Sequence, residues 1–258
     1  MLRKYFIVWL KSASLSTQSN LTQRFGAILF ITGKLIRFGF FLVLLIVIGD
    51  RVSSTTGYSL NQMIIFFLLF NLLDMFGQIF FRGIYWFRQQ VVTGEFDFRL
   101  TKPMSALFQA LTRQTDILDL PLFILIIIYL AKNAAAFAPI PWGLFVALTL
   151  AGLVVITAVH IAVAALGVLT TEVDHTMMIY RDLSAMARVP IDIYGSSIRT
   201  FLTFIIPIGI AYTIPAKAFL GLVSIQTALI SIAIAIASFF LSLILWRFAL
   251  TKYSSASS

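Results

Sequence analysis

Four stretches of this chain stay apolar far longer than a soluble helix requires: 25–49, 60–81, 142–170 and 225–247. An α-helix rises 1.5 Å per residue, so about 20 apolar residues cross a hydrocarbon layer, and each stretch reads as a membrane span. A shorter run, 117–131, is preceded by helix-compatible residues from near Ser105 and predicts another span over 110–131. The region 171–224 admits two readings. Plain hydropathy makes 201–222 a crossing and leaves 171–200 on the cytoplasmic side, but Pro207, Gly209 and Pro215 interrupt it. The alternative makes 171–190 the crossing, a polar one carrying Arg181, Asp182 and Arg188. It turns 197–224 into a broken re-entrant pair on the outer side, which needs burial in protein. Either way the chain crosses six times.

The polar positions refine this frame. In 1–24, Leu2, Phe6, Trp9 and Ala13 share a helical face that Lys4 and Lys11 avoid, which predicts a helix lying in the membrane interface. Lys34 and Arg37 fall within the first span, where long side chains can snorkel. A polar turn is expected at 50–59. Asn71, Asp74 and Gln78 share one face of the second span, so that face looks toward protein or water. Asp74 is either a path-lining carboxylate or a helix-end acid paired with Arg82 or its neighbours. His160 stands alone on an apolar helix and reads as hydrogen-bonded packing. Ser231 and Ala235, and Ala233 and Ala237, have the small-xxx-small spacing that lets helices approach closely.

Composition agrees: 60% of residues are hydrophobic and 11% charged, with a mean hydropathy of +0.99, outside the range of soluble domains. The net charge of +9 could point to nucleic acid, but its distribution is topological. Arg3, Lys4, Lys11 and Arg24 precede the first span; Arg82, Arg88, Arg99, Lys102 and Arg113 follow the second; Arg247 and Lys252 close the chain. Early in the chain, the opposite loops hold only Arg51 and Lys132. By the positive-inside rule both termini and the 82–116 loop are cytoplasmic, and no nucleic-acid partner is expected. The absence of cysteine excludes disulfides and thiol chemistry. Lys11 interrupts the first apolar stretch and no cleavage site follows, so a signal peptide is not expected. Gly26, Gly33 and Lys34 do not have phosphate-loop spacing, and no HExxH or GxSxG occurs. Glu172, Asp174 and His175 do not share a face, so no metal site is expected.

One long polar segment remains, 91–104, with the sequence VVTGEFDFRLTKPM. Glu95, Asp97 and Arg99 interleave with Phe96, Phe98 and Leu100 between Gly94 and Pro103. A membrane chain with so little soluble mass meets its partners through such a loop.

Three blocks carry a family resemblance: GEFDFRLTKPMSALFQAL, ARVPIDIYGSSIRTFLTFIIPIGIAYTIPAKAFLG and the ending WRFALTKYSSASS. Together they resemble the ABC-2-type permease family, the six-span membrane subunits of bacterial ABC exporters, over almost the whole chain. The resemblance implies an all-α integral membrane protein with six transmembrane helices and an N-terminal interfacial helix. It further implies a coupling helix within the cytoplasmic loop 82–109 and re-entrant outer helices before the last span, which favours the crossing at 171–190. It implies a non-catalytic subunit, with ATP and Mg on separate ABC ATPase subunits and no cofactor of its own. It would form a homodimer, or a heterodimer with a sister permease, among membrane lipids in the bacterial inner (plasma) membrane. The expected cargo is amphipathic, drug-like or lipid-like. Gly94, Glu95, Phe96, Asp97, Phe98, Arg99, Lys102 and Pro103 are the expected partner-binding residues; Asp74, Gln78, Arg181 and Asp182 are the candidate translocation path. Rival readings are a lipid-modifying enzyme, which lacks a titratable cluster, and a stand-alone proton-coupled carrier using Asp74, Arg181 and Asp182.

Overall fold

The structure is a computed structural model that describes residues 2–22, 24–134, 140–170 and 173–254. Among these it is helical, with no strand. The middle of the expected 132–141 loop, Thr171 and Glu172 at the start of the polar crossing, and the 255–258 tail lie outside the described residues.

Helix α1 (Leu2–Thr22) buries Ala13 and half-buries Trp9, whose indole stacks on Phe80 at 5.0 Å. Phe6, on the face expected to be apolar, stays exposed. Helix α2 (Arg24–Thr56) runs past Gly49, so the 50–59 turn shrinks to its last residues. Nothing in 50–56 breaks a helix; the chain turns only at Gly57, in the left-handed region (φ +73°). Much of α2 faces outward, with Phe25, Phe40 and Val47 each over 70% exposed. That surface is tolerable against lipid, not water. Helix α3 (Leu60–Phe81) begins at a capping box between Ser59 and Gln62.

The loop after α3 is folded, not extended. A 3-10 turn (Arg82–Trp86) leads into α4 (Phe87–Val92), α5 (Glu95–Leu100) and α6 (Ala106–Thr112), the last capped by Ser105. The span expected over 110–131 is broken: a bend of 50° separates α6 from the turn Ile117–Asp119 and α7 (Leu120–Asn133). Pro121 fits only the first turn of a helix, and the Asp116 N–H bonds the Gln78 carbonyl instead of its own helix (3.3 Å).

Helices α8 (Trp142–Thr170) and α12 (Ile225–Lys252) make the most extensive pairing. The buried stripe of α12 consists largely of Ala228, Ser231, Ala235, Ser242 and Ala249, small enough for close backbone approach. Ala233 and Ala237 face away from it, so only the Ser231/Ala235 pair is used. His160 is buried on α8, its Nδ1 2.8 Å from the Ile156 carbonyl.

Between them lie α9 (Val173–Ala185), α10 (Ser196–Thr200) and α11 (Ile214–Phe219), with π-helical turns at Phe201–Ile205 and Gly209–Thr213. The chain bends by 84° between Ser196–Ile205 and Gly209–Phe219, at Pro207. Lys217 on the second limb pairs with Asp192, just before the first, at 2.7 Å, and the same carboxylate accepts from the Tyr58 hydroxyl at 2.8 Å. The segment is thus bent at close to a right angle, and its second limb is buried against α3 and α8. Among the described residues, four helices are long and apolar enough to cross a membrane, or up to six if each bent pair counts as one.

The second limb of this bent segment reaches α8 at Gly152, where an added Cβ would lie 2.6 Å from the Ala211 carbonyl oxygen, a backbone atom that cannot swing aside. Gly152→Ala is expected to cost about 1–3 kcal/mol, read as a lower thermal midpoint of the purified protein. Gly143→Ala, facing open space, should leave it unchanged.

Candidate functional site

A cavity of about 520 Å³ opens between α2, α3, α7 and α9. Helix α3 contributes Asn71, Asp74 and Gln78, the face singled out by sequence, and α9 adds Arg181 and Asp182. All four candidate path residues therefore line one space. The sequence reading missed Lys34, Arg37, Arg188 and Asp119, which line it too. A signal existed: Lys34 and Arg37 lie one turn apart on an apolar helix, a rare placement in a span.

The charges sort into two groups. Lys34 does not snorkel. Its Nζ meets Asp116 Oδ2 at 2.9 Å and also pairs with Asp119, and both acids are 3% exposed. Arg82 donates to Gln78 Oε1 at 2.8 Å and lies 3.6 Å from Asp116, so the pairing of Arg82 with Asp74 does not form. The cations acting on Asp74 are instead Arg37, Arg181 and Arg188. Aromatic rings lie beneath two of these cations: Arg188 sits 5.7 Å from the centroid of Phe41 and 5.9 Å from that of Phe70, and Arg181 5.9 Å from that of Tyr85. Among the described residues no three His, Asp or Glu side chains converge on a metal position.

The polar segment after α3 forms a second cluster. Gly94 adopts φ +75° at the junction of α4 and α5, a left-handed turn that glycine takes without strain. The interleaved residues then wind into a helix, which sends Phe96 and Phe98 to different surroundings. Phe96 is fully buried, with ring centroids 5.2 Å from Phe87 and 5.2 Å from Tyr253, whereas Phe98 is 71% exposed. Phe96 is therefore a fastener within the protein, not an anchor for a partner. Arg99 is buried too, donating to Glu95 and to the Gln109 carbonyl, each at 3.2 Å. Glu95 also pairs with Arg113, and Asp97 accepts from the Tyr253 hydroxyl at 2.9 Å. Lys102 and Pro103 are exposed, and the Pro103 carbonyl accepts from Lys4 Nζ at 3.0 Å. Of the eight residues expected to meet a partner, Phe98, Lys102 and Pro103 are exposed, and the paired Glu95 side chain keeps 45% of its surface open.

Partial burial pushes the Glu95 carboxyl up, but Arg113 and Arg99 outweigh this and hold it below its ordinary range. The stabilisation this brings is complete above the usual glutamate pKa of about 4.3 and fades as pH falls through the lower folded value. Hydrogen-exchange protection of 95–100 is expected to drop over that acidic window. Glu95→Gln should show the loss already at neutral pH.

Comparison with known proteins bears on the whole chain. The profile of the ABC-2 family transporter proteins matches residues 35–257. No curated protein and no solved structure matches. With several helices fit to cross a membrane and a match over most of its length, the chain belongs to the ABC-2 family of transporter proteins, as a multi-pass membrane permease component of an ABC transporter.

Proposed function

We propose that this chain is the permease of an exporter that moves an amphipathic compound across the bacterial inner membrane. ATP and Mg would be bound and hydrolysed by separate ABC ATPase subunits. The observation that carries the proposal is the cavity, which combines charged and aromatic walls inside a family whose members are transporter components. The lysine and arginine distribution supports cytoplasmic termini and a cytoplasmic 82–116 region.

In this arrangement α9 and the turn after it make the fifth crossing. From the level of Tyr85 at Arg181, past the middle of α9, the chain continues to that of Tyr58 at Asp192, in the turn Ile191–Ile193. The helix alone is short for a bilayer, about 20 Å by its rise per residue, and the turn Met186–Arg188 extends it. The bent segment 196–219 then enters from the outer side and returns to it. The cavity sits in the cytoplasmic half, at the depth where an amphiphile leaving the inner leaflet arrives. The functional unit is a dimer, with a second copy or a sister permease.

Docking of the ATPase uses the exposed side of α5, with Phe98 and Lys102 as its contacts. Phe96 and the Asp97–Tyr253 bond fasten that helix to the end of α12, while Lys4 and Pro103 tie it to α1. Closure of the nucleotide subunits would shift α4–α6 as a unit and bias the packing of the spans between two arrangements.

The test is co-purification. Phe98→Ala with Lys102→Glu should cut the recovered ATPase subunit at least tenfold while the permease inserts normally, because both side chains are exposed. Undiminished recovery with intact transport would move the docking site elsewhere and leave the proton-coupled carrier reading in play. Cysteines introduced one at a time check topology: Asn61→Cys should react with an impermeant maleimide in intact cells, and Lys102→Cys should not.

A further inference from the structure

The cavity's charges do not balance within the protein. Lys34 and Arg82 are taken up by Asp116 and Asp119. Three guanidinium groups, Arg37, Arg181 and Arg188, then face two carboxylates, Asp74 and Asp182, leaving one positive charge over. Arginine cannot shed that charge by losing a proton, and a net charge at membrane depth is costly without a counter-ion. None of the three arginines makes an ion pair within 4 Å among the described residues.

The aromatic contacts leave room for a ligand. The Arg188 cation lies over the rings of Phe41 and Phe70, and that of Arg181 over Tyr85, at 5.7–5.9 Å. Contacts of that kind leave guanidinium N–H groups able to fork onto carboxylate, sulfate or phosphate oxygens. Apolar wall is supplied by Phe38, Phe67 and Leu122, and the volume suits a drug-sized molecule or a single-chain lipid headgroup with part of its tail.

We infer that the cavity binds a singly charged anionic amphiphile, its oxyanion held by Arg37, Arg181 and Arg188 and its hydrocarbon against the phenylalanine wall. Asp74 and Asp182 set the charge limit, since on the same wall they repel a second negative charge. This names the cargo class of the cavity and rests on the exporter reading for transport, though not for binding.

The experiment uses the purified permease in nanodiscs of phosphatidylcholine. The probes are fluorescent lysophosphatidylglycerol, a monoanion, and lysophosphatidylcholine, a zwitterion with the same chain. Lysophosphatidylglycerol is expected to bind at least tenfold more tightly. Arg188→Gln should remove most of that preference, and Asp74→Asn should tighten lysophosphatidylglycerol severalfold by relieving the repulsion. Millimolar inorganic phosphate should not displace the probe. Equal binding of the two lipids, stronger competition by hexadecyltrimethylammonium, displacement by phosphate alone, or weaker binding in Asp74→Asn would each overturn the inference. If Arg188→Gln does not assemble, the wild-type selectivity and the Asp74→Asn direction still decide. Selectivity without ATPase co-purification would sink the exporter reading alone; co-purification without selectivity would sink this one alone.

Discussion

Lys34 is the contact on which the end of this protein around α4–α7 depends. Its ammonium holds two carboxylates, Asp116 and Asp119, that are almost completely withdrawn from solvent. In a medium of low dielectric such a group cannot be divided cheaply. Removing one partner of a buried pair typically costs about 3–5 kcal/mol, because the other is left charged and unsolvated. The pairing therefore pins the break between α6 and α7 to α2, and Arg82 closes it from the other side. A stretch that would otherwise continue as one helix is bent where its acids turn inward to their cation.

That bend links two clusters that look unrelated in the chain. At one end of the stretch 113–119, Arg113 grips Glu95 on α5; at the other, Asp119 lines the cavity beside Lys34. Arg82 works similarly, at the start of the turn leading to α4 while bonded to Gln78 on the cavity wall. The α4–α6 segment thus has a short, charged connection to the cavity.

The segment around α5 is held just as firmly by the chain's extremities. Tyr253, beyond the last helix, packs on Phe96 and donates to Asp97, with its phenol pushed up to about 12 by burial and that bond. Tyr5, near the start, packs edge-on against Phe108 at 4.8 Å and accepts from the Ser105 N–H. Six residues of helix could not hold a shape alone; contacts from both ends of the chain give them one.

The sequence by itself determined the class of protein, because about 20 consecutive apolar residues are intelligible only in lipid. It also determined the polar face of α3, since residues three and four apart must share a side of a helix. Asp74 and Gln78 were legible as membrane-depth polar residues for the same reason, whereas Arg181 and Asp182 rested on the family resemblance that favoured a crossing at 171–190. What tertiary structure alone decided was partnership. Charge and spacing could not say that Lys34 would reach residues more than 80 positions away, or that Arg37 and Arg188 would join Asp74 from other helices. Nor could alternation in 95–100 reveal that Phe96 points inward and Phe98 outward. Periodicity reports which side of its own element a residue occupies, whereas the neighbour across the gap is set by how distant elements pack.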